Sequence, residues 1–172
     1  IFEFIYFSRP DSRVFGENVD KVRRKLGRRL AAESAVDADI VIAVPDSGNT
    51  IALGYAEASR LPFELGLIRN HYVGRTFIDA DQPRRDERVK LKFNPLRSVF
   101  KDRQVILVDD SIVRGTTSRK LVRMVRAAGA TGVHLRVGSP MTTHSCFYGI
   151  DTPEPDELIA NRMSVDEIRD FL

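Results

Sequence analysis

The segment Val105–Thr117 constrains the fold most, because its thirteen residues indicate a strand, a turn and the start of a helix in that order. Val105–Val108 is a short apolar run of the kind found in buried strands, although periodicity alone does not distinguish such a run from a helix. The two carboxylates of Asp109–Asp110 follow at once, and Gly115 precedes the hydroxyl pair Thr116–Thr117. The order of these features points to a site at the end of a strand.

The chemistry of this segment suits a phosphorylated sugar. In parallel α/β sheets, ligands bind beyond the carboxyl ends of strands, and a helix start attracts phosphate through its unpaired N–H groups and its dipole. Gly115 allows close approach of the backbone, while Thr116 and Thr117 can cap the helix and donate hydroxyls to phosphate. Asp109 and Asp110 can accept bonds from ribose hydroxyls or hold hydrated Mg²⁺. The acidic pair or the threonine pair alone would favour an ordinary solvated turn or helix cap, whereas their combination in this order favours the site.

Apolar runs alternate with amphipathic segments along the rest of the chain. This alternation predicts an α/β fold, a parallel twisted sheet flanked by helices on both faces. The basic residues in the first predicted helix are expected on its solvated face. Strands are predicted over residues 2–7, 40–45, 63–68, 105–108 and 133–137, with a short strand near 89–93, and helices over 17–33, 49–60, 116–128, 154–160 and 165–172.

A second loop, Asp46-Ser47-Gly48, follows the apolar run Ile40–Pro45 and precedes a predicted helix. Its backbone amides could form a nest for a pyrophosphate, and Gly48 would allow close approach. The same residues also make an ordinary turn sequence. The neighbouring acidic segment favours the first interpretation.

The charged segment 69–100 lacks sustained periodicity, which is typical of a functional lid or of a disordered loop. Gly74 offers a hinge, and Tyr72, Arg75, Lys90 and Lys92 could reach over a bound pyrophosphate. Closing such a flexible lid would exclude water and strengthen charge interactions inside the site. The alternative is an exposed loop whose charges keep it soluble.

Composition limits the classes of partner. The chain has 172 residues, enough for one domain with a real core, and its net charge of +3 is too small to indicate nucleic acid. Residues 69–103 carry ten Lys/Arg against five Asp/Glu, whereas residues 151–172 carry two against seven. This pattern suits an anionic small substrate. The single cysteine is consistent with a reducing compartment, no apolar run is long enough to span a membrane, and the abrupt start at Ile1 suggests an excised piece.

The segment Val108–Thr117 closely resembles the phosphoribosyl pyrophosphate (PRPP) signature of type I phosphoribosyltransferases, in the variant found in amidophosphoribosyltransferases. The resemblance extends over nearly the whole chain. Further segments that carry it are Phe4–Ser12, Val44–Gly48, Tyr72–Ile78 and Cys146–Asp151.

The resemblance implies attack of ammonia on C1 of PRPP, giving phosphoribosylamine and pyrophosphate in purine synthesis. It implies a type I phosphoribosyltransferase domain over residues 1–172, with Arg75 and Lys92 as lid cations that act in catalysis. Ser47 would coordinate Mg²⁺ beside Asp109 and Asp110. The substrate-binding residues that it implies are Asp46, Ser47, Gly48, Tyr72, Asp109, Asp110, Ser111, Arg114, Gly115, Thr116 and Thr117.

The resemblance also implies parts that this chain lacks. The family's glutaminase half uses an N-terminal cysteine nucleophile, which nothing here matches, so the glutaminase domain and a C-terminal remainder are expected in a longer parent. Cys146 matches a ligand of a 4Fe–4S cluster, which needs four thiolates and is expected only in such a parent. A cytoplasmic homo-oligomer with nucleotide feedback is implied. Open alternatives are a base-specific phosphoribosyltransferase and a non-catalytic PRPP sensor.

Overall fold

The computed structural model describes residues 2–70, 92–147 and 152–172. A four-stranded parallel sheet forms its centre, in the order β4-β3-β7-β8. The strands are β3 Ile40–Ala43, β4 Phe63–Glu64, β7 Gln104–Asp109 and β8 Gly132–Val137. Two small antiparallel pairs complete the strands, β1 Arg13–Val14 with β2 Glu17–Asn18, and β5 Leu67–Arg69 with β6 Phe93–Pro95.

Helices cover both faces of the sheet, as predicted. Alternate residues of β3 and β7 face opposite ways, so Ile42 and Leu107 join one buried cluster while Val41 and Ile106 join another. The first cluster includes residues of the helices Arg97–Phe100 and Thr116–Ala127, and the second includes residues of the helices Val19–Glu33 and Asn49–Ser59. The bounds are α1 Val19–Glu33, α2 Asn49–Ser59, α3 Arg97–Phe100, α4 Thr116–Ala127, α5 Ile159–Arg162 and α6 Val165–Phe171.

The predicted strand at residues 2–7 is wrong. Glu3–Phe7 forms a short π-helix, which Ser8 closes by donating its N–H to the Glu3 carbonyl at 3.0 Å. Arg23 of α1 donates to the carbonyls of Phe4 and Ser8, at 2.6 and 2.8 Å. The strand was predicted because Phe2, Phe4 and Tyr6 alternate with other residues, as on one face of a strand. In the structure the buried residue of this helix is instead Ile5, which lies between them in the sequence.

Two other elements are divided where one was predicted. The strand expected over 63–68 becomes β4 and β5, which belong to different sheets and are separated by the exposed Leu65. The helix expected over 154–160 becomes a 3₁₀ turn, Pro155–Glu157, followed by α5. Leu158 between them has an extended backbone and a fully buried side chain, so packing of this residue interrupts the helix.

Candidate active site

The two loops singled out in the sequence lie together at one edge of the sheet. β3 and β7 are neighbours and run parallel, with Ala43 opposite Val108, so the loops that follow them leave the sheet side by side. The Val44 N–H donates to the Val108 carbonyl at 2.8 Å. A β-carbon on Gly48 would lie 2.6 Å from the same carbonyl oxygen. Only glycine therefore allows this approach.

The acidic pair lies at the end of β7 and is buried. Asp109 is 7% exposed and Asp110 is 4% exposed. The Asp110 N–H donates to Oδ1 of Asp109 at 2.9 Å, and the Ser111 hydroxyl donates to Oδ1 of Asp110 at 3.1 Å. Oδ2 of Asp110 is buried and has no hydrogen-bond partner among the described residues. A buried carboxylate oxygen of this kind needs a donor or a cation that the described residues do not supply.

Burial of the pair also changes its protonation. Removal from water and, next in size, the charge of Asp110 raise the pKa of Asp109 to about 8, although the Asp110 backbone N–H and the charge of Lys92 oppose the shift. Two adjacent buried carboxylates repel each other when both are ionised. A bound cation would relieve this repulsion.

The predicted threonine cap of α4 is wrong. Gly115, at φ +75°, is the capping residue, and no side chain caps the helix. Thr116 and Thr117 instead form the exposed first turn. Since side chains leave the first N–H groups uncovered, the helix start keeps its capacity to bind an anion.

Asp46, Ser47 and Gly48 connect β3 to α2. Asp46 is exposed and forms an ion pair with Arg69, at the end of β5. Ser47 is half-buried, and the Asn49 N–H donates to the Asp46 carbonyl at 3.2 Å. Arg69, which was not among the predicted site residues, thus lies beside this loop. Its place as the first residue of the charged segment 69–100 was the one sequence signal for it.

Lys92 lies within electrostatic range of the acidic pair. It directly precedes β6, its carbonyl accepts a bond from the Asn70 N–H at 2.9 Å, and its charge reaches Asp109. Arg114 is half-exposed and donates to Oε2 of Glu157 at 2.9 Å. Tyr72, Arg75 and Lys90, together with the hinge Gly74, lie outside the described residues.

Arg23 was wrongly predicted on the solvated face of α1. Its side chain is buried, with the residue only 2% exposed. Burial lowers the pKa of the Arg23 guanidinium, and the charges of Asp110 and Asp20 oppose this shift. The spacing of four residues from Val19 to Arg23 and Gly27 marks the buried stripe and could have revealed it.

Known proteins resemble this chain over nearly its whole length. The chain is 59% identical over its 172 residues to the chloroplastic amidophosphoribosyltransferase 2 of Arabidopsis thaliana, of which it covers 31%. It is 57% identical over 167 residues to the amidophosphoribosyltransferase of Bacillus subtilis, covering 97% of this chain and 35% of that protein. The chain belongs to the amidophosphoribosyltransferase family. It spans about a third of the length of these relatives.

Solved structures agree with this family assignment. The B. subtilis glutamine PRPP amidotransferase complexed with ADP and GMP has a TM-score of 0.88 at 56% identity, over 98% of this chain and 37% of that one. A structure described as the allosteric regulatory enzyme of purine biosynthesis gives the same TM-score at 57% identity, over 98% and 36% of the two chains. The chain matches no protein-family model. The fold is that of type I phosphoribosyltransferases.

Three further features of the chain concern its cysteine, its metal-binding side chains and its helices. Cys146 is half-buried, and its N–H donates to Oγ1 of Thr152 at 2.6 Å; it is the chain's one cysteine, so this chain cannot supply four thiolates to a cluster. In the described ranges, no three His, Cys, Asp or Glu side chains group closely enough to hold a metal by themselves. Nor does any described helix combine the length and apolarity needed to cross a bilayer.

Proposed function

We propose that the protein transfers ammonia to C1 of PRPP, giving 5-phosphoribosylamine and pyrophosphate, the first step of de novo purine synthesis. In this reaction a bond forms between nitrogen and C1, the bond from C1 to the pyrophosphate oxygen breaks, and the ammonia nitrogen loses a proton. The observation that carries the proposal is that two loops, Asp109–Thr117 and Asp46–Gly48, follow neighbouring parallel strands and lie side by side. The first begins with two carboxylates, and the second can offer backbone N–H groups to a pyrophosphate. The chain that contains them is 59% identical to a named amidophosphoribosyltransferase.

The loop Asp109–Thr117 would bind the ribose 5-phosphate half of PRPP. The uncapped start of α4 offers N–H groups to the phosphate, and the exposed hydroxyls of Thr116 and Thr117 can donate to the same oxygens. Asp110 has an unpaired buried oxygen able to accept from a ribose hydroxyl. The Ser111 hydroxyl, which donates to Asp110, would orient that carboxylate.

The acidic pair fits Mg²⁺. This ion prefers oxygen ligands and is commonly held by one or two carboxylates together with substrate phosphates and water, so a set of two carboxylates is sufficient. Asp109 and Asp110 would hold it, with Ser47 as a further oxygen. When bound, Mg²⁺ would neutralise charge on the pyrophosphate. The raised pKa of Asp109 supports the proposal, because the pair as it stands favours a proton and would exchange it for a cation.

The loop Asp46–Gly48 would bind the pyrophosphate half. Its backbone approaches the end of β7 closely at Gly48, and Arg69 stands beside it in an ion pair with Asp46. Lys92, whose charge reaches Asp109, would face the junction of the two halves. Arg75 and Tyr72 are proposed to act with Lys92, as the resemblance of their segment implies.

Catalysis would consist of positioning and charge stabilisation. Loss of pyrophosphate from C1 develops positive charge on the sugar and negative charge on the leaving group. Cations that stand ready at the leaving group stabilise this state without reorganising during the reaction. Lys92 and Arg75 would supply this charge, while Asp109 and Asp110 hold the ribose so that C1 faces the ammonia.

The proposal extends to parts that the chain does not contain. Glutamine would supply the ammonia through a glutaminase domain of the whole enzyme, and a 4Fe–4S cluster with Cys146 as a ligand remains a prediction for a longer parent. Binding of purine nucleotides is proposed by analogy with the B. subtilis structure, which was solved with ADP and GMP. A homo-oligomer is proposed from the family resemblance alone. Cytoplasmic localisation stays a prediction, since plant relatives are named chloroplastic.

The nitrogen donor decides between the proposal and its rivals. We expect the purified protein with Mg²⁺ and PRPP to release pyrophosphate when ammonium is added, and adenine, guanine or uracil to give no release. Release that requires a base would identify a base-specific phosphoribosyltransferase and contradict the proposal. Binding of PRPP, measured by calorimetry, without turnover under any donor would identify a sensor.

A further inference from the structure

The C-terminal helices contact the loop that precedes α4. The Ile159 N–H donates to the Val113 carbonyl at 2.9 Å, and Glu157 accepts from the Arg114 guanidinium at 2.9 Å. These contacts join two segments that are more than 40 residues apart in the sequence, since Arg114 and Glu157 are separated by 43 positions. The loop proposed to bind phosphate is therefore held from outside the sheet.

Gly115 lies at the centre of this contact. At φ +75° its backbone adopts the left-handed conformation, and a β-carbon here would lie 2.6 Å from Cδ1 of Ile159 and 3.3 Å from Cε1 of Phe171. The glycine backbone thus lies directly against two apolar side chains. Since Phe171 is the last residue of α6, this helix sets the space open to the loop.

Arg119 extends the contact by one helical turn. Its N–H donates to the Gly115 carbonyl at 3.0 Å, and its guanidinium carbon lies 4.5 Å from the centre of the Phe171 ring. Nε of Arg119 is buried and has no hydrogen-bond partner among the described residues, and the face of the Phe171 ring offers this guanidinium a cation–π contact. The ring therefore contacts both the capping glycine and the first turns of α4.

Packing beside this contact is incomplete. A cavity of about 180 Å³ lies between the loop and the C-terminal helices, lined among others by Ile112, Met141, Ile159 and Ile168. An empty space on this side gives the loop little support there. Support for the loop is thus concentrated at Phe171, Ile159 and the Arg114–Glu157 pair.

We propose that Phe171 is a positioning residue for PRPP binding, which holds the Gly115 turn and the start of α4 in the conformation that accepts phosphate. Glu157 assists by holding Arg114. The inference rests on the proposed function of this loop. If the loop adopts the binding conformation only part of the time, the apparent affinity for PRPP falls by that fraction. Once PRPP is bound, the loop is ordered, so the rate of the chemical step is unchanged.

Steady-state kinetics with Phe171→Leu test this role, using the protein expressed from its complete coding sequence. We expect the KM for PRPP to rise about tenfold with kcat within about twofold of wild type, because leucine cannot stack on Arg119. Phe171→Tyr keeps the ring and should restore the wild-type KM. Phe15→Leu, which changes a phenylalanine that is 85% exposed in the turn between β1 and β2, is the matched control.

Two variants at exposed positions, which should not disturb folding, provide a second test. Glu157→Gln should raise the KM for PRPP about threefold, whereas Glu154→Gln, an exposed position three residues earlier, should leave it unchanged. An unchanged KM in both Phe171→Leu and Glu157→Gln would overturn the inference, as would a fall in kcat alone. If Phe171→Leu does not fold, the Glu157 pair decides.

Failure of the proposed function would look different. In that case the wild-type protein would bind PRPP but would release no pyrophosphate from it when ammonia is supplied. The affinity for PRPP, measured by calorimetry in the same variants, would then still decide the positioning role. A tenfold weaker affinity in Phe171→Leu, restored in Phe171→Tyr, would support it, and equal affinities would overturn it.

Discussion

The loops after β3 and β7 occupy equivalent places in the fold but are constructed differently. The loop after β7 begins with two buried carboxylates and is held from behind by the C-terminal helices. The loop after β3 exposes its carboxylate, Asp46, whose side chain is 54% accessible, and pairs it with Arg69. Its buried residue is Gly48, which touches the end of the neighbouring strand.

The first loop therefore depends mainly on the charges of its buried carboxylates, and the second mainly on the space available to its backbone. Burial of Asp109 and Asp110 raises the free energy of their charged forms, so the stability and ligand binding of this loop depend strongly on the partners of these carboxylates. At Gly48 the backbone needs room, and exposed charges nearby are screened by water. We therefore expect charge-neutralising substitutions to act mainly on the first loop and volume-increasing substitutions mainly on the second.

The largest effect is expected for Asp110→Asn. Removing the charge at the unpaired buried oxygen takes away a ribose contact and a cation ligand, so pyrophosphate release should fall on the order of 100-fold or more. Asp37→Asn, which changes an exposed aspartate before β3, is the matched control and should keep wild-type activity. A decrease below fivefold at Asp110 would remove this residue from the site.

Gly48→Ala is expected to have the next largest effect. The added β-carbon would lie 2.6 Å from the Val108 carbonyl oxygen, so the loop must move away from β7. We expect the free energy of unfolding to fall by about 1–3 kcal/mol and the KM for PRPP to rise. Urea denaturation and steady-state kinetics measure the two changes. A variant of unchanged stability would show that the loop has more room than its backbone contacts indicate.

Asp109→Asn should change how stability depends on pH. The unfolded carboxyl loses its proton near its ordinary pKa of 3.8, whereas the folded carboxyl keeps it to about pH 8. Between these values the folded state binds more protons, so the stability of the metal-free protein falls as pH rises. We expect the variant to gain in Tm over wild type from pH 5 to pH 8, with chelator present. A constant difference would contradict the raised pKa.

The smallest effect is expected for Arg69→Ala. The Asp46–Arg69 pair is partly exposed, with side-chain accessibilities of 54% and 33%. Ion pairs of this kind contribute about 0–1 kcal/mol, so the free energy of unfolding should change by no more than this. Arg9→Ala, which breaks the more exposed pair with Asp11, provides the comparison. A decrease in the free energy of unfolding of more than about 2 kcal/mol would exceed the contribution of an exposed ion pair and would show that Arg69 stabilises the fold in another way.

The parts of the fold that sequence could predict are those set by local patterns. The apolar runs of β3 and β7 and the helix starting at Thr116 follow from composition and turn residues, and the capping box of Ser164 with Glu167 forms as its spacing predicts. The parallel sheet then followed from the alternation of elements. This alternation also placed the two loops at one edge, where the structure has them.

The errors occur where distant contacts override local pattern. The alternation of apolar residues over 2–7 suggested a strand, but Arg23 donates hydrogen bonds to two backbone carbonyls of this region, and the segment is helical. Arg23 itself was assigned to solvent because a basic helix face usually is exposed. The contact of Phe171 with Gly115 depends on the packing of separate elements and left no signal in the sequence.

The proposal that each loop binds one half of PRPP can be tested directly with ribose 5-phosphate and pyrophosphate as separate ligands. Binding of ribose 5-phosphate and of Mg²⁺-pyrophosphate is followed by calorimetry in wild type, Thr117→Val and Gly48→Ala. We expect Thr117→Val to weaken ribose 5-phosphate and leave pyrophosphate unchanged, and Gly48→Ala to do the reverse. If both substitutions weaken the same half ligand, or neither weakens any, the two loops do not divide PRPP between them.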